Sequence, residues 1–369
     1  MSRPRAKKAP HLMLVNVSKS WGGGEQWMFA VAQAWQTKGH EVELLVYPGS
    51  ALQQRLVQAG IPHTAMPLRT WRLLNPILAI RLYRHLKKRQ PDVLLLNASH
   101  ELKTAGWMGH LAGIQEIIFR RGVSYALSVN AWNRYLLNQV ATRFLANSKA
   151  TFEAMTTAFP ALLAKPTLTL NNGVKPEGWE PDAVGRIPHR IGVSARLSPE
   201  KGLERLLRAI QWLKRQGNKG ELLLLGEGPQ RVELQQLARD LGIEERVIFA
   251  GFVSDVPRHL RSCAAFGFTP HFGEGTSIAL IEAMLLELPC VVMDTPAMSE
   301  VVVSGETGYV IPDGDIPALA AAFHRLLSDA QHRDELGQKA RERALKYFTL
   351  DRIIEALEDW LQATSPTGE

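Results

Sequence analysis

Continuously apolar stretches and amphipathic segments alternate along almost the whole chain. Short apolar runs at 12–17, 42–47, 93–97, 116–120, 143–146 and 168–171 predict buried strands. Residues 25–38, 76–89, 101–112 and 150–158 place apolar positions at helical spacing between them. The alternation then stops. Lys175-Pro-Glu-Gly-Trp-Glu-Pro181, with the residues up to Pro188, is a proline- and glycine-rich connector without periodicity. Beyond it, strands are predicted at 190–195, 221–225, 246–250, 264–268, 289–293 and 308–311. Helices at 202–216, 230–241, 256–262, 277–287, near 298 and at 315–328 separate or follow them. This α/β order predicts parallel sheets covered by helices on both faces. Two such runs across a connector give two Rossmann-like domains, 1–175 and 176–349, facing across a cleft, with ligands at the carboxyl ends of the strands. Helical segments 331–347 and 350–363 end the chain.

A length of 369 residues also favours two cores over one. No apolar run approaches the roughly 20 residues that span a bilayer. The start Met1–Lys8 is basic, but the apolar stretch Leu12–Val17 is too short for a signal-peptide core and reads as a strand. Cys263 and Cys290 are the only cysteines and lack metal-ligand spacing, which points to a reducing, cytoplasmic setting. Net charge is +7, unevenly spread: residues 1–180 carry 22 Lys and Arg against 9 Asp and Glu. The basic half is either a solvated surface or a face for an anionic membrane or acidic acceptor.

Candidate chemistry concentrates in two loops. Phe272-Gly-Glu-Gly-Thr-Ser-Ile-Ala-Leu-Ile-Glu-Ala-Met284 sets Glu274 and Glu282 on either side of a helix start opened by Gly275, Thr276 and Ser277. Unpaired amides at a helix start suit a phosphate. Ser194-Ala-Arg-Leu-Ser-Pro-Glu-Lys-Gly202 follows a strand of the same sheet and adds Arg196 and Lys201, a two-donor cation and a mobile point charge. Each feature alone reads as a turn or a helix start. Jointly they read as a diphosphate site, with Glu282 on ribose hydroxyls and Glu274 on the group beyond the phosphates. A glycosidase pair is disfavoured, because those acids stand roughly 5 to 10 Å apart across one bond. Ser18-Lys-Ser-Trp-Gly-Gly-Gly-Glu25 forms a glycine-rich strand-to-helix turn with an acid in the first helical turn. Asp313-Gly-Asp315 spells a metal-binding Asp-x-Asp, but Asp315 reads as the cap of the following helix. Gly226-x-Gly228 lacks the third glycine of a dinucleotide fingerprint.

These motifs, in this order, resemble the family-4 (group 1) retaining glycosyltransferases of the GT-B fold. The likeness rests on the Glu274-x7-Glu282 spacing, the Arg196…Lys201-Gly202 loop, Asn172-Gly-Val174 and Gly226-Glu-Gly-Pro229. Phe249-Ala-Gly-Phe-Val253, Gly305-Glu-Thr-Gly308, Gly314-Asp315 and Gly22-Gly-Gly-Glu25 extend it. It covers the whole chain, strongly at 190–315 and loosely across 60–165. The resemblance implies an acceptor-binding first domain and a second domain that holds a nucleoside-diphosphate sugar. It further implies transfer with retention, no metal or other cofactor, and a last helix, 350–369, that crosses back to the first domain. Arg196 and Lys201 would then neutralise the diphosphate, Glu282 hold the ribose and Glu274 the donor sugar, with Gly275 and Thr276 amides nearby. Phe252 and Val253 would line the base pocket, and Gly23 and Gly24 would face phosphates or acceptor. The departing phosphate oxygen would take the acceptor's proton, so leaving-group stabilisation is the main catalytic contribution.

One departure concerns the first domain. Where many members place a histidine after the fourth strand, this chain has Phe119-Arg-Arg-Gly122. Arg120 or Arg121 then either enters the cleft, to meet a phosphate or an acidic acceptor, or forms a surface turn. His100 is the remaining imidazole candidate. Trp71-Arg-Leu-Leu-Asn-Pro76 leads into the basic amphipathic stretch Arg81–Arg89, and seven of nine tryptophans precede residue 180. This stretch covers the first sheet, or docks on anionic lipid at the inner membrane face beside a lipid-linked or lipopolysaccharide-type glycan. Rival readings are a sugar-nucleotide 2-epimerase of the same architecture and a non-catalytic nucleotide-sugar-binding subunit. A nucleic-acid partner lacks a recognition module.

Overall fold

His11-Leu-Met-Leu-Val-Asn16, buried at every position, form β1 of the computed structural model, which describes residues 10–68, 75–182 and 185–363. The basic start Met1–Lys8 and the Trp71–Leu74 lead into the basic helix lie outside the described residues. The chain divides into two compact units, Met1–Leu170 with Ile354–Glu369, and Asn171–Ile353.

Unit 1 continues from β1 through α1 (Gly23–Thr37), β2 (Glu41–Val46), α2 (Ala51–Gln58), β3 (His63–Ala65) and α3 (Pro76–Arg89). Next come β4 (Val93–Leu96) and α4 (Ser99–Glu101), which runs through a π-helical turn into α5 (Trp107–Ala112). The unit is completed by β5 (Glu116–Arg121), α6 (Ala131–Tyr135), β6 (Arg143–Ala146), α7 (Lys149–Ala158) and β7 (Thr167–Thr169). The sheet order is β3-β2-β1-β4-β5-β6-β7. Every pairing is parallel, in register from His11↔Glu41 to Asn16↔Val46 and from Leu12↔Val93 to Val15↔Leu96. Strands flanked by helices on both faces are apolar throughout, as Val93–Leu96 illustrates. In α3 the Asn75 side chain accepts from the Ile77 amide at 3.0 Å and Pro76 occupies the first turn, a favoured start.

Unit 2 repeats the plan with β8 (Arg190–Ser194), α8 (Leu203–Arg215), β9 (Glu221–Leu225), α9 (Arg231–Asp240), β10 (Val247–Gly251) and α10 (Val256–Leu260). It goes on with β11 (Ala265–Phe268), α11 (Ile278–Leu285), β12 (Cys290–Met293), α12 (Met298–Val301), β13 (Gly308–Ile311), α13 (Ile316–Ser328) and α14 (Ala330–Tyr347). Its parallel sheet has the order β10-β9-β8-β11-β12-β13. In each sheet the order reverses beside the first strand, between β1 and β4 and between β8 and β11. Loops leaving these strand ends in opposite directions open a crevice at each place.

Helix α15 (Leu350–Ala363) starts in unit 2, and its residues from Ile354 onward belong to unit 1. There Glu358 pairs with Lys38 at 2.7 Å and His40 at 3.2 Å, and the Trp360 carbonyl accepts from Arg143 at 3.2 Å. The unit boundary falls after Leu170 and not after residue 175. Asn171 and Asn172 donate to Thr276 at 2.7 and 2.5 Å, and Val174 bridges to Thr349, so this short stretch is tied into unit 2.

Candidate active site

The crevice end of unit 2 is built by two loops that hold each other. The first follows β8 and turns at Lys201-Gly202 into α8. Gly202 has φ +59°, and a Cβ there would lie 2.1 Å from the Thr269 carbonyl oxygen, so glycine alone admits this approach. The second loop follows β11. Its Thr269 hydroxyl donates to the Gly202 carbonyl at 3.0 Å, and its His271 amide to the Glu200 carbonyl at 2.9 Å. Lys201 and Glu274 meet across the loops as a hydrogen-bonded ion pair, each side chain about four-fifths covered. Ser277 and Thr276, both buried, bring the loop into α11, and Glu282, 6% exposed, lies on that helix. The Ser277 side chain caps no amide of α11. Arg196 stands exposed in the β8 loop.

Asp315 accepts from the Ala318 amide at 2.9 Å as the cap of α13, and Asp313 pairs with Arg205 at 2.7 Å. The Gly226–Pro229 loop supports the β8 loop: Leu197 donates to the Glu227 carbonyl and accepts from the Gln230 amide, both at 3.0 Å. Phe252, 64% exposed, follows Gly251 at the end of β10.

In unit 1 the equivalent strand ends carry a buried polar cluster. Glu101, 1% exposed, accepts from the backbone amides of Val17 at 2.9 Å, Asn97 at 2.6 Å and Ala98 at 2.9 Å. Burial pushes its carboxyl up to about 8, against the downward pull of those amides. Arg120 donates to Asn97 Oδ1 at 2.5 Å and lies 4.0 Å over the Trp27 ring. Burial works against the Arg120 charge, and Glu25 and Glu101 restore part of it. Asn16 donates to Glu25 at 3.2 Å. A Cβ on Gly24 would come within 2.7 Å of the side-chain Nδ2 of Asn97, so α1 begins packed against this cluster.

Comparison with known proteins agrees with this architecture. The family described as glycosyl transferases group 1 matches residues 188–343, and Glycosyltransferase Family 4 matches residues 21–178. The chain belongs to the group 1, family 4 glycosyltransferases. It is 27% identical over 300 residues to a GDP-mannose-dependent alpha-(1-6)-phosphatidylinositol monomannoside mannosyltransferase of Mycolicibacterium smegmatis, covering 75% of this chain and 78% of the relative. It is 31% identical over 147 residues to an alpha-D-kanosaminyltransferase of Streptomyces kanamyceticus, where the match covers 39% of this chain and 38% of the relative. Among solved structures, Anabaena HepE in complex with UDP-glucose superposes with a TM-score of 0.83 at 22% identity, over 96% of this chain and 100% of that one. The lipopolysaccharide outer core galactosyltransferase WaaB in its apo form gives 0.72 at 17%, over 96% and 99%. The fold is GT-B.

Within this glycosyltransferase the structure brings Lys201 and Glu274 into contact and sets Gly275, Thr276, Ser277 and Glu282 on the adjoining helix start. Gly23 and Gly24 open α1 instead of forming the preceding loop. The alternative of a surface turn at Arg120 and Arg121 is overturned. Both lie on β5, which runs one residue further than expected, and both are buried. Arg121 spends its charge on the Tyr125 carbonyl at 2.9 Å, leaving Arg120 as the one that joins the polar cluster. His100 is 39% exposed and lies 3.7 Å from Glu101. Glu101 itself escaped the sequence reading. The signal was present as a glutamate three residues beyond a helix-start position, the acid half of a capping box.

Proposed function

We propose that this enzyme moves a sugar, with retention at the anomeric carbon, from a nucleoside-diphosphate sugar to a glycan or lipid-linked acceptor. The setting is cell-envelope polysaccharide or lipopolysaccharide synthesis at the inner face of the cytoplasmic membrane. The observation that carries the reading is the Lys201–Glu274 pair beside α11, at the reversal point of the unit 2 sheet. A cation held by an acid in the free protein is a cation that a diphosphate can claim. Its release frees Glu274 for the donor sugar's hydroxyls. Arg196 adds a second charge, the amides of Gly275 and Thr276 line the start of α11, and Glu282 takes the ribose. Phe252 and Val253 flank the base. Stabilising the leaving diphosphate is then the chief catalytic contribution, and its oxygen takes the acceptor proton. On the acceptor side Arg120 of unit 1 is the candidate, as the arginine that joins the buried polar cluster.

The mannosyltransferase relative is named GDP-mannose-dependent and HepE is crystallised with UDP-glucose, so both bases belong in the test. A thermal-shift panel of UDP, GDP and ADP with their sugars should show one series raising the melting temperature, since a ligand that binds only the folded chain stabilises it by mass action. Glu282→Ala should lose most of that shift while keeping the parent's far-UV spectrum. A panel with no shift at millimolar ligand, or an undiminished shift in Glu282→Ala, would remove the donor assignment. An epimer formed from donor alone would replace transfer by 2-epimerisation.

We further propose that turnover needs no metal. The positive charge at the diphosphate comes from Lys201 and Arg196, while Asp313 and Asp315 are engaged with Arg205 and the α13 amide. Initial rates in excess chelator should equal those without it. A loss restored by a divalent cation contradicts this.

A further inference from the structure

Helix α8 buries six apolar side chains between Leu203 and Leu213 and, among them, one charged residue, Arg205. A buried guanidinium is costly unless it is well partnered, so its partners show what it serves. Arg205 donates to the Asp313 carboxylate at 2.7 Å and to the Pro270 carbonyl at 3.4 Å. It thereby joins three elements: the first turns of α8, the loop leaving β11, and the turn between β13 and α13. In the sheet, β12 separates β11 from β13, so strand pairing does not tie that turn to the β11 loop. Arg205 does. This also gives the first aspartate of Asp313-Gly-Asp315 a structural partner, as the α13 amide does for the second.

The start of α8 meets the β11 loop almost residue by residue. Thr269 is tied to Gly202, Pro270 to Arg205, and Glu274 to Lys201. Between them, the His271 amide donates to the Glu200 carbonyl at 2.9 Å, and its ring meets the Glu204 carboxylate at 2.7 Å. No regular element occupies the chain between Phe268 and Ile278, so these ties decide where Glu274 stands. They are not equivalent. The His271–Glu204 contact is part-exposed and contributes little. The Lys201–Glu274 pair comes apart, on the reading proposed above, when a diphosphate claims the lysine. Thr269 then fixes only the first residue of the loop. The Arg205 tie is sheltered, charge-assisted on the Asp313 side, and independent of the ligand.

We infer that Arg205, anchored by Asp313, is a positioning residue of the donor site: it grips the β11 loop so that Glu274 keeps its place at the sugar once the diphosphate has taken Lys201. The inference rests on the donor reading of Glu274, and its test has one arm without ligand and one with it. In the first, hydrogen exchange is followed on the full chain alone. The segment 269–277 of Arg205→Met should exchange on the order of tenfold faster than in the parent, while β12 keeps the parental rate. Asp313→Ala, made at an exposed position that leaves the core intact, should loosen the same segment. Arg208→Met, on the exposed side of α8, should match the parent. In the second arm, Arg205→Met should lower the kcat of transfer on the order of 10–10²-fold, yet bind the nucleoside diphosphate within about threefold of the parent. The phosphate groups on α8 and α11 stay in place, and only the sugar contact drifts. Arg205→Lys, which can reach one partner but not fork to both, should fall between. A segment 269–277 as protected in Arg205→Met and Asp313→Ala as in the parent would overturn the inference. So would a loosened segment with parental kcat, or equal losses of kcat and of nucleotide affinity, which mark general damage. A loosened segment in a chain that binds no nucleotide would instead sink the donor reading and leave the loop grip standing.

Discussion

Lys201→Ala is expected to lower kcat by about 10²–10³-fold, the usual cost of removing one preorganised group that meets developing charge. The side chain cannot easily be replaced by a neighbour. Its loop is fixed by Gly202 against Thr269, and Glu274 holds the ammonium in place before any ligand arrives. Deleting the lysine also leaves Glu274 as an uncompensated negative charge beside the phosphates, so binding of the nucleoside diphosphate should weaken together with turnover. Glu274→Gln separates the two effects. It frees Lys201 from competition, so the diphosphate alone should bind at least as tightly as to the parent, while transfer drops because a sugar contact is lost. Calorimetry of the nucleotide alongside steady-state rates distinguishes these outcomes. A Lys201→Ala enzyme with more than a tenth of the parental kcat, or a Glu274→Gln enzyme that no longer binds the diphosphate, would refute the pairing.

Much of this architecture could be read from the chain because its buried strands are unbroken apolar runs. Glu221–Leu225 and Gly308–Ile311 fall where the pattern put them, as does α3 between its Asn75 cap and the left-handed Gln90. Three elements were missed, each for want of apolar content. Helix α2 buries only Leu52 and Leu56 among glutamines, β3 is three half-buried residues, and α6 buries Asn133 while exposing its aromatics. In unit 2 the site motifs were legible because loop chemistry there sits in contiguous text. That Lys201 and Glu274 touch was not, since 72 residues intervene and only the adjacency of β8 and β11 joins them. The unit 1 cluster was harder still. It draws Asn16 from the end of β1, Asn97 and Glu101 from the turn after β4 and its helix α4, and Arg120 from β5, so no short window contains all four. Arg120 and Arg121 also break the usual pattern, as charged residues finishing a buried strand. Their compensation is local: an aromatic face and Asn97 for one, a carbonyl for the other.

Glu101→Ala should be strongly destabilising, costing about 3 kcal/mol or more. The side-chain carboxyl group accepts from three backbone amides at the carboxyl ends of β1 and β4. An alanine strands all three, and an unsatisfied buried donor costs roughly 1–3 kcal/mol. Water entering the vacated space recovers part of this, which keeps the expected loss below the sum. Glu101→Gln should cost less, because its carbonyl can still accept from Asn97 and Ala98 while its amide group faces the Val17 N–H. The pH dependence gives a second readout. Burial raises the folded carboxyl to about 8 from an ordinary value of 4.5, so between those limits the folded state binds more protons than the unfolded one. Its contribution to stability therefore falls as pH rises through that window. In both variants this descending component should vanish, flattening the denaturant midpoint between about pH 5 and 8 relative to the parent. The same bonds fix where the β1 and β4 loops diverge, so Glu101→Ala should also loosen the Arg120 cluster and reduce transfer even at temperatures where the chain stays folded. Urea unfolding at several pH values decides the matter: variants within about 0.5 kcal/mol of the parent, with an unchanged pH profile, would show that the Glu101 carboxyl does not hold this strand junction together.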